Sequence, residues 1–161
     1  MKWVYELEAD FTWASGFRVD RDWAFQDRTG VTRLILGRDG AITVTKGYAW
    51  DGCTPKLCFF DIHIGVPDGV VDSRTRKPKT YYASLVHDAL YQFLTDGLPL
   101  SRAQADRCFL RLMAETGFAL RWIFYVAVRL WGDLFRRGGR RIRKTKGMRV
   151  EWRRSGSHSE L

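Results

Sequence analysis

Short runs of alternating apolar and polar residues occupy the first third of the chain. They are separated by Gly and Asp and read WVYELEADF, FRVDRDWAF, VTRLILG and AITVTKGYAW, the last after the turn sequence RDG at residues 38–40. A period of two is typical of strands with one buried face. The pattern predicts a small antiparallel sheet that packs on other elements, because such a sheet is not stable alone.

Helical spacing replaces this alternation after residue 79. Apolar residues three and four positions apart run through residues 80–95, and Gly97 follows, which predicts a first helix. Ser101 and Gln104 have the spacing of a capping box and predict a second helix, which Gly117 ends. Because the connection is short, we expect the two helices to form an antiparallel hairpin.

A third helical segment, FALRWIFYVAVRLWGDLF, covers residues 118–135 and is apolar nearly all round. Such a helix is either deeply buried or in contact with lipid. Arg121, Arg129 and Asp133 argue against a membrane span, since a central Arg costs roughly 2.5–3.5 kcal/mol there. A buried helix is favoured, and contact with a lipid surface stays open.

These elements predict one α+β domain over residues 1–135, with a small N-terminal antiparallel sheet packed on a three-helix C-terminal part. Within it, residues 1–50 form the β part, residues 51–79 a long Gly- and Pro-containing loop, and residues 80–135 the helices. Residues 136–161 are polar, basic and without periodicity, which predicts a flexible tail.

Charge and composition narrow the function classes. The chain has 161 residues, 45% of them hydrophobic, and a net charge of +9, which suits a single globular domain. Residues 136–154 contain ten basic residues and one acid, so the rest is neutral. Such a tail suits an anionic lipid surface next to the third helix, a nucleic acid or simple solvation. Nucleic acid is the weaker alternative, because no base-reading motif is present; a protein partner also stays open.

Cysteine use and the amino terminus bear on the compartment. Cys53, Cys58 and Cys108 form no CxxC pair, so neither a disulfide framework nor a zinc ribbon is supported. The first residues, MKWVYELEADF, do not resemble a secretory signal. We expect a cytoplasmic protein, with peripheral membrane association left open. No pattern indicates the oligomeric state.

Candidate chemistry lies on the predicted hairpin. Helical spacing places His87 on the flank of the first helix and Asp106 at the rim of the packing face of the second. A buried carboxylate needs a partner, and His87 is the nearest candidate across the hairpin. An Asp that accepts from one ring nitrogen leaves the other basic, so this pair is a dyad able to activate water.

Helical spacing directs Asp88 to the other side of the first helix, where we expect the preceding loop to pass. Asp51 and Gly52 lie in that loop, and two carboxylates with loop carbonyls suit a hard cation such as calcium. Gly52 permits close approach of the backbone. Apolar residues next to it, Trp50, Leu57 and Phe59 among them, would line a substrate site or form core under the loop.

The segment ASLVHDALYQF resembles the helix of the phospholipase A2 superfamily, whose pattern is Cys-Cys-x-x-His-Asp-x-Cys-Tyr. The resemblance implies that His87 is the catalytic base, that Asp88 binds calcium, and that Tyr91 supports Asp106. The loop YAWDGCTPK is similar to the calcium loop of the bacterial enzymes, which implies calcium contacts from residues 51 and 52. The cysteine positions of that helix carry Ala, Ser and Leu here.

A closer resemblance covers residues 48–132. GYAWDG, KTYYASLVHDALYQF, SRAQADRCFLRLM and YVAVRLWG are similar to a family of phages, prophages and bacteria that is called domain-of-unknown-function family 1353. That resemblance implies no activity.

Two functions are therefore expected. One is a calcium-dependent, phospholipase A2-like ester hydrolase or a degenerate relative of one. The other is a non-enzymatic phage or prophage structural or accessory protein, in which His87, Asp88 and Asp106 form a hydrogen-bonded core network. In a core network Asp88 would have Ser or Arg partners, with Arg102 and Arg107 as candidates. In a catalytic site Asp51 and Asp88 would converge on an opening.

Overall fold

The computed structural model describes residues 5–50, 71–137 and 150–151. Seven strands and three α-helices lie in these ranges: β1 (Tyr5–Glu6), β2 (Phe11–Ala14), β3 (Trp23–Gln26), β4 (Thr32–Leu36), β5 (Ala41–Val44), β6 (Ala49–Trp50), α1 (Tyr81–Phe93), α2 (Arg102–Glu115), α3 (Arg121–Arg137) and β7 (Val150–Glu151). Strands therefore precede the helices, apart from β7, and the α+β prediction is confirmed.

All strand pairs are antiparallel, as predicted, but they form two sheets rather than one. Five strands have the order β2-β5-β4-β3-β7, while β1 and β6 pair with each other. The turn between β4 and β5 contains Gly40 at φ +92°, and a Cβ there would lie 2.5 Å from the Phe17 carbonyl oxygen. This turn therefore needs glycine.

The inner face of the larger sheet packs on α1 and forms the core. Alternate strand residues are fully buried there, as the period of two predicts: Phe25, Leu34, Leu36, Ile42 and Val44. From the helix side, Leu85, Leu90 and Phe93 are also buried, and the rings of Phe25 and Phe93 lie 5.3 Å apart. The sheet is thus stabilised by burying its apolar face on α1.

The first two helices follow the prediction closely. Helix α1 continues into a 3-10 turn, Leu94–Asp96, that ends at Gly97 with φ +85°. At the start of α2, the Ser101 backbone N–H donates to Gln104 Oε1 at 2.8 Å, and the Gln104 N–H donates to Ser101 Oγ. The predicted capping box is therefore present.

Helix α3 differs from the predicted deeply buried helix. It begins at Arg121, three residues later than expected, and among its residues 121–129, whose side chains the structure describes, only Phe124 is buried, packed against Phe118 at 5.4 Å. Trp122 and Val126 are about half exposed. Within the described ranges, no helix combines the length and apolarity needed to cross a bilayer.

Part of the predicted tail is described. Helix α3 extends to Arg137, and Val150–Glu151 form an edge strand on β3. Composition does not predict this strand, because the strand forms by pairing with β3, which lies far away in the sequence. The other residues of the predicted tail, and residues 51–70 of the predicted loop, lie outside the described residues.

Candidate active site

The helical hairpin brings His87, Tyr91 and Asp106 into contact. His87 and Tyr91 are one turn apart on α1, so they share a face, and their ring centroids are 4.1 Å apart. Phe109 of α2 lies 4.9 Å from the imidazole on the adjacent side. The apolar and aromatic surroundings hold the imidazole ring in place between the two helices.

Asp106 is fully buried, and its carboxylate is the centre of the cluster. One oxygen, Oδ1, lies 3.2 Å from His87 Nε2 and accepts a hydrogen bond of 2.5 Å from the Tyr91 hydroxyl. A buried carboxylate requires such donors, since unpaired charge is costly to desolvate. The contact that helical spacing predicts between His87 and Asp106 is therefore present.

Two arginines complete the cluster. The sequence predicts Arg102 only as a candidate partner of Asp88, and it does not assign Arg129 to the site. Arg129 Nη1 of α3 lies 3.3 Å from Asp106 Oδ2. Arg102 Nε donates to the Tyr91 hydroxyl at 2.9 Å and lies 3.9 Å from Asp106 Oδ2. Arg102 and Asp106 are four residues apart on α2, and this i,i+4 spacing is a sequence signal for the contact between them.

Arg102 also reaches the backbone of α3. Its Nη2 donates to the carbonyl oxygens of Val128 at 3.0 Å and of Arg129 at 2.9 Å. The guanidinium therefore links α2 to α3, while Asp106 links α2 to α1 and α3. One polar cluster thus joins all three helices.

The contacts set the charges of the cluster. Burial raises the pKa of Asp106, but the hydrogen bonds from His87 and Tyr91 lower it by more, so its pKa lies below the ordinary 3.8. Burial lowers the pKa of His87, but Asp106 and Asp88 outweigh it and leave that pKa raised. Burial and Asp106 together raise the pKa of Tyr91. At neutral pH the carboxylate is ionised and the phenol keeps its proton.

The second ring nitrogen of His87 faces away from Asp106. Because Nε2 donates to Asp106, the neutral tautomer leaves a lone pair on Nδ1, which lies 3.8 Å from Asp88 Oδ1. The His87 side chain is 12% exposed and that of Asp88 is 42% exposed. Among the described residues, Asp88 pairs with no Ser or Arg, and Arg102 contacts Asp106 instead.

Family comparison places this cluster in a known domain. The family described as Protein of unknown function (DUF1353) matches residues 17–128. The chain belongs to this family. The match runs from the sheet to α3 and includes His87, Asp88, Tyr91 and Asp106. No curated protein and no solved structure matches the chain.

Several predicted site residues of this DUF1353 domain are not among those that the structure shows in the cluster. Asp51, Gly52, Leu57 and Phe59 lie outside the described residues. Trp50 is 1% exposed in the core, where its Nε1 donates to Ser84 Oγ at 3.1 Å. This position suits the core role that was left open for it, and its role in substrate binding stays a prediction.

The described part of the DUF1353 domain does not hold a complete metal site. No group of three or more His, Cys, Asp or Glu side chains within it is placed to bind a metal ion. Asp88 has the chemistry of one hard-cation ligand, because its carboxylate is partly exposed and lies 3.8 Å from His87 Nδ1. The other ligands would have to come from elsewhere.

Proposed function

We propose that this DUF1353 protein is a calcium-dependent ester hydrolase in which His87 is the general base. One observation carries the proposal: His87 Nε2 contacts the fully buried Asp106, which leaves Nδ1 as the basic nitrogen on the side of the partly exposed Asp88. A histidine held in one tautomer by a carboxylate is the arrangement that general-base catalysis requires.

In the proposed reaction, Nδ1 takes a proton from a water molecule as that water attacks an ester carbonyl. When the ester C–O bond then breaks, the imidazolium gives this proton to the leaving alcohol oxygen, which releases an acid and an alcohol. The imidazolium formed is stabilised by Asp106, 3.2 Å from the opposite nitrogen. Tyr91 keeps the carboxylate in position through its hydroxyl. A general base of this kind contributes about 10²–10⁴-fold to the rate.

Asp88 is the proposed calcium ligand among the described residues, with Asp51 and Gly52 as further proposed ligands. Calcium takes 6–8 oxygen ligands in proteins, so one carboxylate alone does not make a site. When bound, the cation would polarise the ester carbonyl and stabilise the negative charge that develops on its oxygen. The acyl chain is proposed to contact Trp50, Leu57 and Phe59.

The test is hydrolysis of a phospholipid in mixed micelles, with added calcium and with a chelator. We expect His87→Ala and Asp106→Asn to lose about 10²-fold or more of the rate. Asp88→Asn should abolish calcium binding measured by calorimetry. Arg107→Ala is the matched control, because this exposed side chain is next to Asp106 in sequence. Unchanged hydrolysis in His87→Ala would overturn the mechanism.

A second candidate function is a non-enzymatic structural or accessory protein, as in a phage particle. It is favoured by the bonds of Arg102 to the α3 backbone, which use the cluster to join helices. In that case the wild-type protein has no hydrolase activity, and the His87 and Asp106 variants lose only stability.

A further inference from the structure

Helix α3 carries an apolar face that no described residue covers. Among the residues whose side-chain burial the structure describes, six large hydrophobic ones are exposed, and four of them lie between residues 120 and 126: Leu120, Trp122, Ile123 and Val126. Trp122 is 57% exposed and Ile123 54%. Monomeric proteins seldom leave such a group of large apolar residues together in water, so this α3 face marks an interaction surface.

The α3 face is held outward by contacts that other side chains of the helix make with the rest of the protein. Phe124 packs on Phe118, and Arg129 bonds to the buried Asp106. Rotating Trp122 into the core would expose Phe124 and remove a partner of a buried carboxylate. Exposure of the α3 face is therefore a property of the packed fold.

Charge identifies the partner. The last two residues of α3, Arg136 and Arg137, begin the segment of residues 136–154, which has ten basic residues and one acid. Each Lys or Arg near an anionic bilayer contributes about 1 kcal/mol of attraction. Tryptophan is enriched at the level of lipid head groups, where its ring is apolar and its N–H stays hydrated.

A second copy of the chain suits the α3 face less well. A stable protein interface buries about 800 Å² and some 20–30 residues on each partner, far more than these side chains supply. The adjacent basic residues would also repel those of an identical partner. A lipid surface needs only shallow insertion of a few side chains together with charge attraction.

We propose that the α3 face docks on an anionic phospholipid surface, with Trp122, Ile123 and Val126 inserted at head-group level. The adjacent basic segment supplies the attraction. Docking requires no catalysis, so it stands or fails independently of the proposed hydrolase activity.

The test is co-sedimentation of the full chain with two kinds of vesicle, phosphatidylcholine alone and phosphatidylcholine mixed with phosphatidylglycerol. We expect binding to the mixed vesicles and little to the neutral ones. The triple variant Trp122→Ser, Ile123→Ser, Val126→Ser should bind at least about tenfold more weakly, because burial of each apolar side chain contributes about 1 kcal/mol or more.

The matched control is Val31→Ser with Val71→Ser, which removes exposed apolar residues away from α3. It should bind like the wild type, and circular dichroism of all variants should match because every changed side chain is exposed. Equal binding of the triple variant and the wild type would mean attraction by the basic segment alone and would overturn docking by the α3 face. Absence of binding to mixed vesicles would overturn it too. So would a dimer in gel filtration that the triple variant abolishes, since the occupant would then be a second copy.

Discussion

The two sides of α1 contact very different surfaces. Towards the sheet, its residues meet an apolar layer in which Phe93 packs on Phe25. Towards α2, His87 and Tyr91 meet a buried carboxylate. Both sides are well packed, so packing alone does not explain why one of them contains charge.

Burial of a charge on the side of α1 that faces α2 costs stability, whereas burial of apolar residues on the side that faces the sheet does not. Removing an ion from water costs several kcal/mol, and well-packed apolar side chains often replace a buried ion pair without loss. Stability alone therefore does not explain why Asp106 is buried with its His, Tyr and Arg partners. Perturbed titratable groups at such a position are typical of functional sites. The following predictions test that contrast.

The largest expected effect is on the apolar side. Phe93→Ala should lower the free energy of unfolding by about 3–5 kcal/mol, because it leaves a cavity next to Phe25. Urea unfolding measures the change. Val31→Ala, an exposed control, should change it by less than about 0.5 kcal/mol. A small loss for Phe93→Ala would contradict the description of this layer as the main core.

The second-largest effect on stability is expected for the Asp106 carboxylate. Asp106→Asn should cost about 3 kcal/mol of unfolding free energy, since the arginine and histidine partners lose their counter-charge. The double variant His87→Leu, Asp106→Leu should regain part of this loss while having no hydrolase activity. If the double variant is instead less stable than Asp106→Asn, the cluster is a structural necessity.

Lowering the pH should show how much the ionised Asp106 carboxylate contributes to stability, without any substitution. The folded-state pKa of Asp106 lies below 3.8, so its stabilising contribution is complete above that value and is lost as the pH falls through the lower one. Urea unfolding at pH about 5 and about 3 measures this loss. Asp106→Asn should lose less stability over that interval, and equal losses would exclude Asp106 as the cause.

The smallest effect is expected at Arg129. Its guanidinium lies 3.3 Å from Asp106, but the side chain is 43% exposed, so Arg129→Met should cost only about 0.5–1 kcal/mol. Arg107→Met, exposed on α2, should have no measurable effect. A cost above about 2 kcal/mol would show that Arg129 belongs to the buried part of the cluster.

Local patterns in the sequence predict the structural features that depend only on neighbouring residues. The capping box at Ser101, the period of α1 and the strand alternation all appear in the structure, because each reflects a local backbone preference or one buried face. The meeting of His87 and Asp106 follows from two helical periods and a short connection. These features need no knowledge of distant contacts.

Features that depend on distant contacts were not predicted. Pairing of β1 with β6 joins two-residue strands far apart in the chain. Arg129 reaches Asp106 from a third helix whose orientation no local pattern sets. The sequence favours a buried α3 and leaves surface contact open, because an apolar segment has no sequence signal that distinguishes a core position from an exposed one.

Arg129 belongs both to α3 and to the surroundings of Asp106. A ligand that moved α3 on binding would therefore change the field at the His87 and Asp106 pair, and by thermodynamic reciprocity protonation of that pair would change the affinity of α3 for the ligand. The exposed α3 face and the buried dyad would in this sense be two ends of one linkage, with Arg129 as the group they share.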